Sequence, residues 1–262
     1  MSEASNFLAR LEATRQNTDV DWEGLLEANY LTLLSGRDNL GVIDIGGHAG
    51  RHSKVIQQQL SPLHLMIFEP LPAQRQILEA MFASCPNVAV LGFALGNQQG
   101  QTTFVVKQNA LEESGLRQRS FYNDGSFQNL KCIPVTIEAL DNINIPFTVD
   151  FIKVDTEGGE IDILKGATKL LCRDRPIISV EYGPGGYDAY GYKPETLFEL
   201  AEKESYSIFD LFGNRFISMK EWQSCVSRFY WDYLLISNDK LSIFAHRIEL
   251  IRTNAEQVFC PS

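Results

Sequence analysis

The sequence predicts an α/β fold: a mostly parallel sheet of seven strands, with an antiparallel hairpin at one edge and a helical lead-in before the sheet. Three observations predict it. From Leu40 onward, short runs rich in β-formers alternate with helical runs, which is typical of a parallel sheet covered by helices on both faces. The strand-like runs are almost continuously apolar, as burial on both faces requires. Two late aromatic runs, joined by a connection that contains Gly213 and Asn214, favour the hairpin.

Length and composition are those of a folded globular protein. The 262 residues suffice for one large domain or two small ones, and 44% hydrophobic with 21% charged residues is ordinary for a well-packed chain. A net charge of −10, with 23 basic and 33 acidic residues, indicates neither nucleic acid nor an anionic membrane as partner. The longest apolar runs are far shorter than the ~20 residues of a membrane-spanning helix. The start has no signal-peptide core, so we expect a cytoplasmic protein without membrane insertion.

The cysteines are odd in number and widely spread, and no two of them form a C-x-x-C pair. They are Cys85, Cys132, Cys172, Cys225 and Cys260. This pattern favours neither a disulfide framework nor a zinc site. We therefore expect reduced, structural thiols.

The first forty residues predict a helical N-terminal extension, residues 1–40. Phe7, Leu8 and Leu11 share one face of a short helix, and residues 22–34 (WEGLLEANYLTLL) carry a second apolar stripe. Nothing resembling an internal repeat or a Pro-rich linker follows, so residues 41–262 are predicted to form a single domain. A homodimer is compatible with this pattern, because the N-terminal helices and the late hairpin could cover a second copy or their own sheet.

Strands and helices are predicted from the alternating pattern in chain order. The strands are 41–45, 63–68, 88–93, 150–154 and 176–180, with the late hairpin at 207–212 and 230–236. The helices are 51–60, 72–83, 160–171, 194–204 and 239–258. Residues 101–106 and 131–136 are predicted to form a separate antiparallel pair. The polar segment between them, 107–130, is long enough for a lid or an acceptor-binding loop, or is a disordered insertion.

Residues 42–53 (VIDIGGHAGRHS) carry the most informative motif. A buried strand ends in Asp44, turns through three glycines and passes directly into a helix, which is typical of a cradle for a nucleotide. The spacing D-x-G-G-x-x-G differs from the G-x-G-x-x-G of dinucleotide enzymes. A carboxylate at the strand end repels a pyrophosphate and suits an ammonium or sulfonium group. The motif therefore favours S-adenosylmethionine over NAD, unless Asp44 merely caps the turn.

Acidic residues also follow the other predicted strands. Glu69, at the end of the second strand, is placed to accept hydrogen bonds from two ribose hydroxyls, or is a solvated strand end. Asp155 and Glu157 follow a later strand, where ligands of such sheets collect. Glu160 is expected to complement a helix dipole and Asp162 to be solvated surface. Glu181 ends the fifth strand.

The motifs together resemble those of the FkbM family of S-adenosylmethionine-dependent methyltransferases. The matching stretches are 42–53, FEPLP (68–72), ALGNQQG (94–100), PVTIEALD (134–141), FIKVDTEGGEIDILKGA (151–167) and RPIISVEY (175–182). The resemblance covers about residues 40–182 and implies a Rossmann-like class I methyltransferase acting on hydroxyl groups of sugars, glycolipids or polyketide-like natural products. One departure is His48, where the family usually has Asn.

The motifs and the resemblance together predict the site residues; the resemblance itself implies Asp44, Gly46, Gly50, Ser53, Glu69, Asp155 and Glu157. For the cofactor the predicted residues are Asp44, Gly46, Gly47, His48, Gly50, Ser53, Glu69, Pro70, Ala94, Leu95 and Asp155. For catalysis they are Asp155 and Glu157, beside the donor methyl, with Glu181 at the same edge.

Methyl transfer to a hydroxyl needs a base within hydrogen-bond reach. We expect Asp155 or Glu157 to be that base, with a pKa raised by burial and by the neighbouring carboxylate, and Glu181 and His48 as reserves. No metal is expected, because SVEYG (179–183) lacks the Asp-Asn or Asp-Asp continuation of metal-dependent O-methyltransferases.

His52 is expected on a helix surface. Arg117 and Arg119 could hold an acidic acceptor or be solvated, and Tyr182, Tyr187, Tyr190 and Tyr192 could stack on sugars or pack on their own scaffold.

Two other functions stay open on the sequence. A non-catalytic protein could use the adenosylmethionine fold for partner recognition, although such a protein need not keep the acids after strand four. An NAD-dependent oxidoreductase is disfavoured by the glycine spacing and by Asp44.

Overall fold

Ten strands form two sheets in the part of the chain that the structure describes. The computed structural model describes residues 21–107, 114–117, 130–226 and 230–259, with side chains described to residue 256. In chain order the strands are β1 Gly41–Ile45, β2 His64–Phe68, β3 Val88–Leu91, β4 Ala94–Gly96, β5 Gly100–Lys107, β6 Leu130–Ala139, β7 Phe151–Val154, β8 Ile177–Glu181, β9 Tyr206–Phe209 and β10 Asp232–Ser237. The main sheet has the order β3-β2-β1-β7-β8-β10-β9, which confirms the predicted seven strands.

Helices cover both faces of the main sheet. They are α1 Trp22–Leu34, α2 Arg51–Gln59, α3 Pro72–Met81, α4 Glu160–Lys165, α5 Thr168–Asp174, α6 Pro184–Ala189, α7 Glu195–Lys203, α8 Met219–Cys225 and α9 Leu241–Phe259. The helix predicted over 160–171 is two helices. The helix is interrupted at Gly166. β4 approaches so closely there that a Cβ on this glycine would lie 2.0 Å from the Gly96 carbonyl oxygen. The short helices α6 and α8 were not predicted.

The strand order reverses at β1, which has β2 on one side and β7 on the other, all parallel. The chain leaves β1 towards β2 and β3 and later returns to place β7 on the opposite side. The carboxyl ends of β1 and β7 are therefore neighbours. This adjacency brings Asp44 and Asp155 to the same crevice at the edge of the sheet. Ligands of open α/β sheets bind at such a switch point.

The antiparallel edge of the sheet is formed by β10, which lies between β8 and β9 and runs against both. The predicted hairpin is therefore confirmed, with β10 as its inner strand. Because β10 is antiparallel, its first residue lies at the same edge as the last residue of β8: Asp232 pairs with Glu181.

The second sheet has three strands in the order β4-β6-β5. The predicted antiparallel pair is confirmed as β5 and β6. β4, which was not predicted, pairs in parallel with β6. Val105 of β5 also bridges to Gly115, so part of the long polar segment returns to this sheet. The lid, loop or insertion predicted at 107–130 otherwise falls on residues outside the described ranges, as does Arg119.

Helix α1 packs directly on one face of the main sheet. Its buried residues Leu26, Tyr30 and Leu33 belong to the same apolar cluster as Val42 of β1 and Phe151 of β7. The Arg247 guanidinium of α9 donates to the Leu33 carbonyl oxygen at the end of α1. The described part of the N-terminal extension thus covers its own sheet. The helix predicted around Phe7 lies outside the described residues, and the homodimer stays a prediction.

Four of the five cysteines lie in the described ranges, and all four are free thiols, as expected: Cys85, Cys132, Cys172 and Cys225. Cys260 lies outside the described residues. In the part of the chain that the structure describes, every helix is too short or too polar to cross a membrane.

The packing of α1 generates a stability prediction. Leu33 is fully buried against the sheet, whereas Leu31 on the same helix is only partly buried. We expect Leu33→Ala to lower the free energy of unfolding by about 2–5 kcal/mol, because it leaves a cavity in the core. Leu31→Ala, the matched control, should cost clearly less. Urea unfolding followed by circular dichroism measures both, and equal losses would contradict the placement of α1 in the core.

Candidate active site

A cavity of about 330 Å³ opens beyond the carboxyl ends of β1, β2, β7 and β8. Most of the residues predicted for the site line it. They are Asp44, Gly46, Gly47, His48, Glu69, Pro70, Ala94, Leu95, Asp155, Glu157 and Glu181. Gly50 and Ser53 lie behind this lining, at the start of α2.

The turn after β1 requires glycine. Gly46 has φ +83°, and a Cβ at this position would lie 1.8 Å from the Asp155 carbonyl oxygen. The amides of Gly46 and Gly47 both donate to the Phe68 carbonyl oxygen, at 3.0 and 3.2 Å. His48 follows in the left-handed region, at φ 45°, a strained conformation for a residue with a side chain. The turn therefore brings bare backbone against the cavity.

Asp44 is buried at the floor of the cavity. Its Oδ2 accepts a hydrogen bond from the Ser53 hydroxyl, whereas its Oδ1 has no hydrogen-bond partner among the described residues. Burial raises the pKa of Asp44 above its ordinary value, although Lys153 and the Ser53 hydrogen bond oppose the rise. Ser53 thus fixes one carboxylate oxygen, and the other has no hydrogen bond in a residue that lines the cavity.

Lys153, which was not predicted as a site residue, is a buried cation of the site. It pairs with Asp44 in the register of β1 and β7, and its side chain is only 3% exposed. Its Nζ lies 2.9 Å from Asp155 Oδ2 and 4.0 Å from Asp44 Oδ1. Burial opposes its charge, but Asp155 and Asp44 raise the pKa of Lys153 above its ordinary value. The signal in the sequence was a charged residue inside a strand that is otherwise wholly apolar.

The expectation of a raised pKa at Asp155 is wrong. Burial alone would raise the pKa of Asp155, but the charge and hydrogen bond of Lys153 hold it below its ordinary value. A hydrogen bond with Glu181 lowers it further. Carboxylate oxygens of Asp155, Glu157 and Glu181 lie within 4.8 Å of one another. The Lys153 ammonium is hydrogen-bonded to Asp155 of this acidic cluster. The expectation of no metal stays a prediction.

The loop after β7 is organised by Glu160. Its Oε1 accepts hydrogen bonds from the backbone amides of Thr156 and Gly158 and from the Thr156 hydroxyl. Glu160 is buried, and burial raises its pKa. This bonding holds Glu157 in the left-handed region, at φ 64°, beside the cavity. Glu160 therefore shapes the loop and is more than a complement to the helix dipole.

Asp162 is not solvated surface, contrary to the sequence-based expectation. It is half-buried, and its Oδ1 accepts hydrogen bonds from the Asn97 amide, at 2.9 Å, and from the Tyr192 hydroxyl. It thereby joins α4 to the segment after β4 and to the loop after α6.

Glu69 has a buried carboxylate at the end of β2. Its two oxygens accept the backbone amides of His48 and Leu71, each at 2.8 Å. Burial raises the pKa of Glu69, although these hydrogen bonds oppose the rise. Each carboxylate oxygen can accept two hydrogen bonds, so both retain capacity for a ligand hydroxyl.

Helices α1 and α2 form a polar wall that was not predicted. His52 lines the cavity with its side chain only 11% exposed, so the expectation of a surface histidine is wrong. Burial lowers the pKa of His52 to about 3, and the ring is therefore neutral at physiological pH. Its Nδ1 lies 3.5 Å from both the Tyr30 hydroxyl and Glu27 Oε1. Glu23 and Arg51 complete this wall.

Another part of the cavity lining is apolar. It is formed by Phe68, Phe93, Leu95, Phe104 and Leu116. The rings of Phe68 and Phe93 meet edge to face, with centroids 5.5 Å apart. This wall suits a flat aromatic group.

Of the four tyrosines after β8, only Tyr190 lines the cavity, among the residues that the structure describes. The Arg117 guanidinium lies over its ring, 4.9 Å from the centroid. Tyr182 instead donates to the Lys193 carbonyl oxygen and packs on Tyr187. Most of this cluster therefore packs on its own scaffold.

Comparison with protein families places the methyltransferase FkbM domain on residues 44–208, well over half of the chain. Among curated proteins, none matches the sequence significantly.

Similar solved structures include three methyltransferases. Methyltransferase FkbM from Methylobacillus flagellatus KT is 15% identical, with a TM-score of 0.46 over 88% of this chain and 59% of that one. The plantazolicin methyltransferase BpumL, in complex with SAH and a triazolic desmethylPZN analogue, is 11% identical, with a TM-score of 0.46 over 89% and 90%. An rRNA methylase from Streptococcus thermophilus is 8% identical, with a TM-score of 0.44 over 84% and 96%.

The chain thus spans about 59% of the length of the first of these proteins. At such low identity no acceptor is transferred to this chain. The prediction that nucleic acid is not an acceptor stays a prediction, based on net charge.

The placement of Lys153 generates a second stability prediction. We expect Lys153→Met to lower the free energy of unfolding by about 3–5 kcal/mol near neutral pH, because the buried carboxylate of Asp44 and the partly exposed carboxylate of Asp155 lose their cation. Since Lys153 holds the pKa of Asp155 down, this stabilisation is present above the ordinary Asp pKa of about 3.9 and is lost as the pH falls below it. The effect of the substitution should therefore be constant near neutral pH and shrink as the pH falls below about 4. Urea unfolding across this range measures it.

Lys169→Met, on the exposed surface of α5, is the matched control and should change stability little at any pH. A loss at Lys153→Met no larger than that of the control would contradict the bridging role.

Proposed function

The chain belongs to the FkbM family of methyltransferases, and from this premise we propose that it binds S-adenosylmethionine and transfers its methyl group to a hydroxyl of a sugar, glycolipid or natural product. The observation that carries the proposal is Asp44 Oδ1: a buried carboxylate oxygen without a hydrogen-bond partner among the described residues, at the wall of a large cavity. A buried acceptor of this kind costs free energy unless a ligand satisfies it. An ammonium or sulfonium group does so, and a pyrophosphate does not.

The rest of the cavity fits the same cofactor. The turn through Gly46 and Gly47 allows a ligand to approach the backbone closely. Glu69 retains acceptor capacity for the two ribose hydroxyls. The apolar wall formed by Phe93 and Leu95 is suited to an adenine ring, with Pro70 and Ala94 beside it. These residues, with His48, form the proposed cofactor site, and Gly50 and Ser53 support it from behind.

Bound S-adenosylmethionine supplies an electrophilic methyl group, so the protein has to align the acceptor, exclude water and accept a proton. Alignment of two reactants can contribute about 7–11 kcal/mol. The acidic cluster of Asp155, Glu157 and Glu181 is the proposed place where the acceptor hydroxyl binds and loses its proton. Lys153 keeps Asp155 ionised, so this carboxylate is able to accept a hydrogen bond from the hydroxyl at every physiological pH.

Two alternatives from the sequence are disfavoured by the same geometry. An NAD site needs room for a pyrophosphate at the glycine turn, where Asp44 presents negative charge. A binding protein without turnover has no need of three clustered carboxyl groups beside the cradle. We also propose a cytoplasmic location, in keeping with the free thiols of the described chain.

Calorimetry tests the cofactor. We expect S-adenosylmethionine and S-adenosylhomocysteine to bind and NAD not to bind. Glu69→Gln should weaken both cofactor affinities about ten- to a hundredfold, because hydrogen bonds to a charged acceptor are lost. Glu79→Gln, an exposed residue of α3, is the matched control and should bind as the wild type does. Preference for NAD would overturn the proposal.

Turnover tests the catalytic role. With isotopically labelled S-adenosylmethionine and a panel of hydroxyl acceptors, we expect a labelled methyl ether as the product, identified by mass spectrometry and NMR. Asp155→Asn and Glu157→Gln should keep cofactor affinity within a few-fold and abolish turnover, since they remove the proton acceptor. Label found on nitrogen would refute O-methylation, and wild-type rates in both variants would place the base elsewhere.

A further inference from the structure

Asp232 stands on the same face of the main sheet as the acidic cluster, although no motif pointed to it. Paired residues of neighbouring strands project to the same face. The registers pair Asp44 with Lys153, Lys153 with Ser179, and Glu181 with Asp232. Two residues further along one strand, the side chain returns to the same face, so Asp155 and Glu181 follow Lys153 and Ser179 there. One row of charged groups thus crosses four strands.

This row holds more negative than positive charge. Asp232 and Glu181 are directly opposite each other, an arrangement that is unfavourable when both are ionised. Glu181 is in turn hydrogen-bonded to Asp155, which requires a proton between two carboxyl groups. Lys153 is the buried cation among them. At least one carboxyl group of the row is therefore expected to be protonated.

We propose that Asp232 is a positioning residue that receives the acceptor's proton through Glu181 and releases it to solvent. The proposal rests on the methyltransferase function proposed above. In the reaction, the acceptor oxygen forms a bond to the methyl carbon and the carbon–sulfur bond breaks, with its electron pair passing to sulfur. The hydroxyl proton goes to Asp155, while the proton already held between Asp155 and Glu181 passes by way of Glu181 to Asp232. Asp232 does not line the cavity and is half-buried, so it is placed on the way to solvent.

The proton affinities along the row run in the required direction. Asp155 has a pKa below its ordinary value and therefore binds a proton only weakly. Burial and the charge of Asp155 raise the pKa of Asp232 to about 7, while Lys153 opposes the rise. A proton that leaves the acceptor is therefore held more strongly at Asp232 than at Asp155, and it is released near neutral pH.

The other elements packed near Asp232 present few titratable groups. Glu23 of α1 carries a negative charge that favours the protonated form of Asp232. On α2, His52 is neutral and Arg51 is held by the acids of α1. Lys153 of β7 is the opposing cation. The acidic row and Glu23 therefore set the behaviour of Asp232.

The first test needs neither cofactor nor acceptor. Because the pKa of Asp232 is raised on folding, its stabilisation is complete below the ordinary Asp pKa and is lost as the pH rises towards about 7. We expect Asp232→Asn to become progressively more stable relative to the wild type between about pH 4 and 7, with a constant difference above that range. Asp188→Asn, exposed on α6, is the matched control and should show a flat difference. A flat difference for Asp232→Asn would overturn the proposal.

The second test follows the rate of methyl transfer against pH, with the hydroxyl acceptor found as above. We expect Asp232→Asn to lower kcat at least tenfold near neutral pH, to leave S-adenosylhomocysteine affinity within twofold, and to abolish the acid limb of the wild-type profile near pH 7. Asp232→Glu should restore the limb. A wild-type profile in Asp232→Asn would overturn the relay and leave the methyltransferase intact. Failure of the wild type to bind S-adenosylmethionine would instead refute the proposed function, while the stability test of Asp232 would still stand.

Discussion

The site depends on one buried cation. Lys153 lies between the carboxylates of Asp44 and Asp155, on the two central strands of the sheet. Without it, two acids at adjacent strand ends would repel each other in a poorly solvated place, and neither would stay ionised at low cost. With it, the floor of the cavity can present one carboxylate to a cationic ligand and another to a hydroxyl. The proposed division of the cavity into a donor part and an acceptor part rests on this arrangement.

Two of the non-glycine residues in the left-handed region lie at the same place. His48 and Glu157 both adopt left-handed conformations, one on each side of the switch point. Each is held by a buried acid: Glu69 accepts the His48 amide, and Glu160 accepts two amides of the loop that carries Glu157. Buried hydrogen bonds thus hold in place conformations that would otherwise relax. The turn and the loop are consequently shaped before any ligand arrives.

Much of the fold and of the donor site could be predicted from the sequence, because strand periodicity and the glycine turn are local signals. The strand β1 and its turn place Asp44 without reference to anything distant. Lys153 and His52 were missed for the opposite reason: their roles depend on which strand or helix lies alongside. The predicted rise in the pKa of Asp155 was wrong because this pKa depends on Lys153, two residues earlier, whose side chain lies on the same face of the sheet. Asp232 begins a strand, and only the antiparallel pairing with β8 brings it to this edge.

Helix α1 contributes Glu23 to the cavity wall, and β10 contributes Asp232 nearby, yet both elements lie outside residues 44–208. The proposed donor site and the acidic cluster are thus internal to the matched range, whereas Glu23 and Asp232 come from the segments on either side of it. Sequence changes in these flanking segments could alter substrate selectivity without disturbing the glycine turn after β1. Exchanging α1 between homologous enzymes is accordingly a natural route to altered selectivity by engineering.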